Sequence, residues 1–208
     1  MLRVARREPS AVLLAAQLAG VLLYPFMDSE GVGRALFSVF GIAILGLVVL
    51  AVRSTPATVL LLIQAITGSS ELLPYSSALE TVLYFYAAGA LIAYMLADHV
   101  ITRDELFAVG ATFTLVAWGF AYLFTVVQAI EPGSFIAAVD PDGARSWMEL
   151  LFLSFTTLSS TGLSDVVPVK DFARSVVMLE QLAGLAYVAM VVSRLVGLLV
   201  MNRRGDAA

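Results

Sequence analysis

The chain has 208 residues, 60% of them apolar and 13% charged, with a strongly positive mean hydropathy. A soluble domain needs more polar surface than this, so the composition points to a protein embedded in a lipid bilayer. The formal net charge of -4 says little about such a protein, whose two faces carry different charges. There is no cysteine, which excludes disulfides, thiolate nucleophiles and cysteine-ligated metals. His99 is the single histidine, which excludes a multi-histidine metal site.

Arg3, Arg6 and Arg7 precede an apolar run from Ala11 to Met27. A basic start before an apolar run is also the pattern of a signal peptide. This run is long for that role, and Tyr24-Pro25-Phe26-Met27-Asp28 offers no small-residue cleavage pattern. A retained span over 10–27 is expected. Further apolar runs predict spans at 34–52, 56–73, 79–97, 106–130 and 172–201, each near the roughly 20 residues that cross a bilayer core. The third is diluted by Gln64, Gly68, Ser69, Ser70 and Glu71, so a short or re-entrant segment is its alternative. Arg3, Arg6 and Arg7 at one end and Arg203 and Arg204 at the other place both termini in the cytoplasm, which requires an even number of spans. Six spans put seven basic residues inside (Arg3, Arg6, Arg7, Arg53, Arg103, Arg203, Arg204) against four outside (Arg34, Arg145, Lys170, Arg174). The outer loops are acidic, with Asp28, Glu30, Glu71, Glu131, Asp140, Asp142, Asp165 and Asp171. The polar linker from Asp98 to Glu105 divides a four-helix module, residues 1–98, from a second module, residues 99–208.

The second module holds an unusual segment between its two spans. After the turn Glu131-Pro132-Gly133 and a polar stretch to Arg145, residues 146–155 read as an apolar helix too short to cross a membrane. The loop Thr156-Thr157-Leu158-Ser159-Ser160-Thr161-Gly162-Leu163-Ser164-Asp165 follows, then Val166-Val167-Pro168. Irregular backbone at membrane depth is tolerated only where it is buried in protein or lines a water-filled path. A half-length helix, a hydroxyl-rich loop and a full span form the layout of a re-entrant pore loop. The fold class expected is an all-α membrane protein of six transmembrane helices plus a re-entrant helix and loop.

The stretch from Thr157 to Pro168 resembles the filter pattern T-x-T-T-V-G-Y-G-D-x-x-P of the tetrameric potassium-channel superfamily. Ser160 falls at the last threonine, Thr161 at the valine, Gly162 at the first glycine, Leu163 at the tyrosine, Ser164 at the second glycine and Asp165 at the aspartate. Pro168 matches the proline that opens the inner helix. Glu180-x-x-x-Gly184-x-x-Tyr187 and Ser193-Arg194-Leu195-Val196-Gly197 look like the inner helix of bacterial members, with Gly184 where the family carries its hinge. The resemblance covers roughly residues 105–200. It implies a homotetramer in a bacterial inner membrane, with a central pore for monovalent cations, potassium or sodium. It implies cation ligation by the backbone carbonyls of Ser160, Thr161, Gly162 and Leu163, which replace the ion's hydration shell. Asp165 would sit at the outer mouth, where negative charge concentrates cations. Glu180 and Trp147 would support the filter. No cofactor beyond the permeant ion and no nucleic-acid partner is implied. A ligand-gated mechanism would need a regulatory partner chain.

The pattern departs from the family at two places. Ser164 stands where the second glycine supplies a left-handed backbone, which costs an L-residue about 1–2 kcal/mol. Leu163 lacks the tyrosine hydroxyl that anchors the outer filter in relatives. A non-conducting membrane scaffold or sensor on a channel fold is therefore the alternative reading. The four-helix module resembles a voltage sensor in layout, but its fourth span has no arginine between Leu79 and Tyr94 to move in the field. Arg194 is expected to snorkel or to pair with a neighbouring helix, and Glu149 to cap the short helix at its positive dipole end. Catalysis is not expected, because His99 lies at the opposite membrane edge from the serine-rich loop. A secondary transporter is disfavoured because the two halves share no pattern of broken helices.

Overall fold

A computed structural model describes residues 8–27, 73–97 and 102–205. The spans expected at 34–52 and 56–73, and His99, lie outside the described residues. The elements are α1 (Pro9–Met27), α2 (Leu73–Leu96), α3 (Arg103–Ile130), β1 (Phe135–Ala137), α4 (Trp147–Leu158), β2 (Val166–Pro168) and α5 (Asp171–Gly205). Among the described residues three helices are long and apolar enough to cross a membrane: α2, α3 and α5 over Asp171–Gly197.

The helix starts follow from local chemistry. Thr102 and Glu105 form a capping box at α3: the Glu105 N–H donates to the Thr102 hydroxyl and the Thr102 N–H to the Glu105 carboxylate, each at 3.2 Å. Ser146 and Glu149 repeat the device at α4, with the Ser146 N–H 2.7 Å from the Glu149 carboxylate. The Glu149 carboxylate also meets Arg145 at 3.1 Å, so its expected capping role is realised in full.

α3 is the central post and packs against α1, α2, α4 and α5. Ala108, Ala111, Ala117 and Ala121 are fully buried along it, and small residues let backbones approach. A Cβ on Gly119 would lie 2.9 Å from the Phe85 ring of α2, and one on Gly110 2.9 Å from Leu14 of α1. In consequence 56% of the α3 span is buried, against 28% of α5. One core joins Phe120, Phe124 and Val127 of α3 to Phe135, Leu150, Leu153, Val166 and Val176. A second joins Tyr84 and Ala88 of α2 to Leu115, Trp118 and Ala121 of α3 and Leu151 of α4.

Two polar ties close the end where α3 begins. The Asp104 carboxylate, almost fully buried, accepts the Ser10 N–H and hydroxyl, both at 2.9 Å, and the Tyr94 hydroxyl at 3.3 Å. Arg194 of α5 reaches Glu105 at 3.3 Å, so it pairs with a neighbouring helix.

The all-helical expectation needs one correction. β1 and β2 form a short antiparallel pair, with Phe135 opposite Pro168 and Ala137 opposite Val166. The pair lies where both chains have left the helices, and it satisfies backbone groups that would otherwise be orphaned. The 138–146 stretch is ordered by Arg145. Its guanidinium donates to the carbonyls of Val139, Asp140 and Gly143, while Gln128 of α3 exchanges two hydrogen bonds with the Arg145 backbone.

Partial burial pushes the Glu149 carboxyl up, but the Ser146 N–H and hydroxyl and the Arg145 guanidinium outweigh it and hold the carboxyl below the usual carboxylate range. A depressed carboxyl stabilises the fold above its unfolded pKa, and that contribution is lost as pH falls through the folded value. Wild-type protein in detergent is therefore expected to lose melting temperature on the acid side of the glutamate range. Glu149→Gln should flatten that part of the melting-temperature-against-pH curve, and an unchanged slope would show that Glu149 has no such role.

Candidate functional site

α4 ends at Leu158, and the loop after it folds back over the helix end. The Ser160 N–H donates to the Thr157 carbonyl at 3.0 Å, and the Thr161 N–H to the Thr156 carbonyl at 2.9 Å. With Ser159 as C-cap these are the two bonds of a Schellman motif, which places Ser160 at the position that takes a left-handed backbone. Ser160 has φ 60°, as the motif requires. The Thr156 carbonyl also accepts the Gly162 N–H at 3.0 Å and the Thr161 hydroxyl at 3.2 Å. Gly162 is left-handed too, with φ 65°.

The N–H groups of Ser160, Thr161 and Gly162 are thus spent on α4, while the carbonyls that follow are left over. Among the described residues no hydrogen bond ends on the backbone carbonyl of Ser159, Ser160, Thr161, Gly162 or Leu163. Ser160, Thr161, Gly162 and Leu163 are all exposed, Leu163 by 78%. The loop presents a run of hard oxygen acceptors together with the Ser160 hydroxyl.

The expected strain at Ser164 is not found. Ser164 is not left-handed; the left-handed L-residue of this loop is Ser160. The Ser164 hydroxyl accepts the Val166 N–H at 3.1 Å, a local turn that glycine could not make. Asp165 is exposed beside the start of β2.

Glu180 lies on α5 inside the membrane-capable span and has no exposed surface. The Ser154 hydroxyl of α4 lies within hydrogen-bond reach of its carboxyl and, at 2.8 Å, of the Ala117 carbonyl of α3. One small side chain therefore meets α3 and α5 at a single point behind the loop. Gly184, one turn further along α5, touches the last residue of α4. A Cβ there would lie 2.1 Å from the Leu158 carbonyl oxygen and 2.9 Å from its carbon. α5 runs through Gly184 without a break, so in this structure the missing side chain admits the α4 backbone. Tyr187 completes the seam with a 2.6 Å hydrogen bond from its hydroxyl to the Val109 carbonyl of α3.

Trp147 stands at the opposite end of α4 from the loop. It packs edge-on to Trp118 at 5.8 Å and against Tyr122 at 5.4 Å, and its ring bears on the loop through the helix. Sequence reasoning missed Ser154 and the contact behind Gly184. A hydroxyl in an apolar half-helix was the available signal for the first. The second had none, because it depends on where α5 crosses α4.

A cavity of about 520 Å³ opens beside the loop. Thr156, Thr157, Ser160 and Gly162 form one wall and α5 the other, with Gln181 and Leu185 among its residues.

Residues 81–201 match the family model described as ion channel. The match begins inside α2 and runs through α3, the loop and α5. No curated protein and no solved structure matches the chain.

Three substitutions test this geometry by melting of the purified protein. Ser160→Gly should raise stability by about 1 kcal/mol, because glycine adopts the left-handed position without the L-residue cost. Ser164→Gly should not, and the reverse ranking would contradict the Schellman assignment. Gly184→Ala should lower stability by about 1–3 kcal/mol, since the added carbon meets backbone and not a movable side chain. A neutral Gly184→Ala would mean that α4 and α5 are not in contact there.

Proposed function

Since this chain belongs to the ion-channel family, we propose that it is a potassium-channel-like pore for monovalent cations, formed on the axis of a homotetramer. The observation that carries the reading is the loop of carbonyls from Ser159 to Leu163, unpaired among the described residues, at the end of a half-length helix. Such carbonyls can replace the water around a dehydrated cation. α4 turns its negative dipole end toward the same place. Ser160, Thr161, Gly162 and Leu163 supply the filter carbonyls, and Asp165 gathers cations at the outer mouth. Glu180, through Ser154, supports the filter from behind. Trp147 supports it through the far end of α4, and Gly184 serves as the point of close approach from which α5 can move.

The tetramer is supported by the exposed apolar side of α5, where Leu179, Leu182 and Leu185 are each more than 60% exposed in the single chain. Six spans with both termini cytoplasmic, in a bacterial inner membrane, complete the arrangement. Residues 1–98 surround the pore as a module without gating arginines. The permeant ion is potassium or sodium, no further cofactor is required, and the chain is not an enzyme.

The test is ion flux from liposomes that contain the purified full chain, with potassium, sodium and chloride gradients run in parallel. Flux of potassium or sodium well above chloride is expected. Chloride flux as fast as cation flux, or no flux of any cation, would sink the reading and favour the non-conducting scaffold.

A further inference from the structure

The cavity beside the loop brings together two walls of different chemistry. On α5, every exposed residue between Ser175 and Ser193 is apolar except Gln181. Its neighbour Glu180 points the other way and is buried against Ser154. Tyr187 spends its hydroxyl on α3. A carboxamide on an apolar stripe is costly unless it meets polar groups. Gln181 shares the cavity with such groups, since Thr156, Thr157 and Ser160 also line it.

These polar groups are not engaged with one another. The Thr156 hydroxyl donates to the Leu153 carbonyl at 2.9 Å and keeps its lone pairs free. The Thr157 and Ser160 hydroxyls and the Gln181 carboxamide have no hydrogen-bond partner among the described residues. Leucine at 181 would complete the apolar stripe, so the fold of α5 does not call for glutamine there. An amide oxygen is the same hard ligand as a peptide carbonyl, on a side chain that can follow the ion.

We propose that Gln181 is a specificity-determining residue, whose carboxamide oxygen joins the Thr157 and Ser160 hydroxyls as ligands for a monovalent cation at the inner end of the filter. The proposal rests on the channel reading and adds to it a side-chain ligand from α5. It makes selectivity depend on a residue outside the loop, at the depth where the ion sheds or regains its water.

The experiment compares wild type, Gln181→Leu and Gln181→Asn, each as the purified full chain. One readout is the ratio of potassium to sodium flux in liposomes. The other is the difference in melting temperature between potassium chloride and sodium chloride, followed by tryptophan fluorescence. Gln181→Leu should change the flux ratio by about two- to tenfold, the worth of one hydrogen-bonding ligand, and should shrink the melting difference. Gln181→Asn keeps the amide and should retain part of both, and it stands in if the leucine variant does not fold. An unchanged ratio in a conducting leucine variant overturns the role of Gln181 and leaves the channel reading intact. If wild type passes no cation, the channel reading fails and the melting readout decides. A potassium–sodium difference abolished by Gln181→Leu keeps Gln181 as a cation ligand, and one independent of residue 181, or none at all, overturns it.

Discussion

A helix leaves its last carbonyls without intrahelical partners, and α4, too short to cross a membrane, ends in the middle of the packed helices α3 and α5. Every other feature around it follows from how those carbonyls are met. The loop answers by turning back on the helix. Three consecutive N–H groups, from Ser160, Thr161 and Gly162, and the Thr161 hydroxyl all donate to the carbonyls of Thr156 and Thr157. This closure forces Ser160 into a left-handed backbone. It also uses up three of the loop's N–H groups and leaves its carbonyls without partners among the described residues. The same contacts that end the helix therefore create the run of free oxygens.

The position of α4 is set by its neighbours. At the loop end, the Leu158 backbone rests on Gly184, a contact that tolerates no side chain. One turn away, Ser154 meets the Glu180 carboxyl of α5 and the Ala117 carbonyl of α3. A buried carboxyl is costly without a partner, so this site admits few other arrangements. At the far end, the capping box and the Trp147–Trp118–Tyr122 cluster hold the helix start. Both ends of a twelve-residue helix are thus fixed against α3 and α5.

The segments that flank α4 are tied to the same frame. β1 and β2 join the chain before the helix to the chain after the loop, and the Val169 N–H adds a bond to the Ser134 carbonyl. Arg145 gathers the 139–143 carbonyls and, through Gln128, fastens them to α3. At the other end of α3, Asp104 takes the start of α1 and Glu105 takes Arg194 of α5. α3 therefore links the N-terminal helices to α5 through two adjacent carboxylates. A movement of α5 at Arg194 has to strain or break that link.

Much of this was legible in the chain itself, because it depends on neighbours in sequence. The extents of α3 and α5 follow from runs of apolar residues, and the α4 start from Ser146 and Glu149 three residues apart, whereas α2 begins at Leu73, six residues before the expected start. The half-length helix followed by hydroxyls and Gly162 marks the loop as a candidate site. Other features rest on contacts between segments far apart in sequence, and only the folded chain decides them. Ser164 read as the strained residue by its place in a pattern, yet the backbone puts the left-handed turn at Ser160, because helix closure and not residue type sets φ there. Gly184 read as a hinge, and its contact with Leu158 emerges only when α5 crosses α4. The β1–β2 pair escaped notice because three-residue strands carry no periodicity. Gln181 was one polar residue in an apolar helix until the fold set it opposite Thr157 and Ser160. Local hydrogen bonding and hydrophobic length are written along the chain, whereas the direction a side chain faces depends on how whole helices pack.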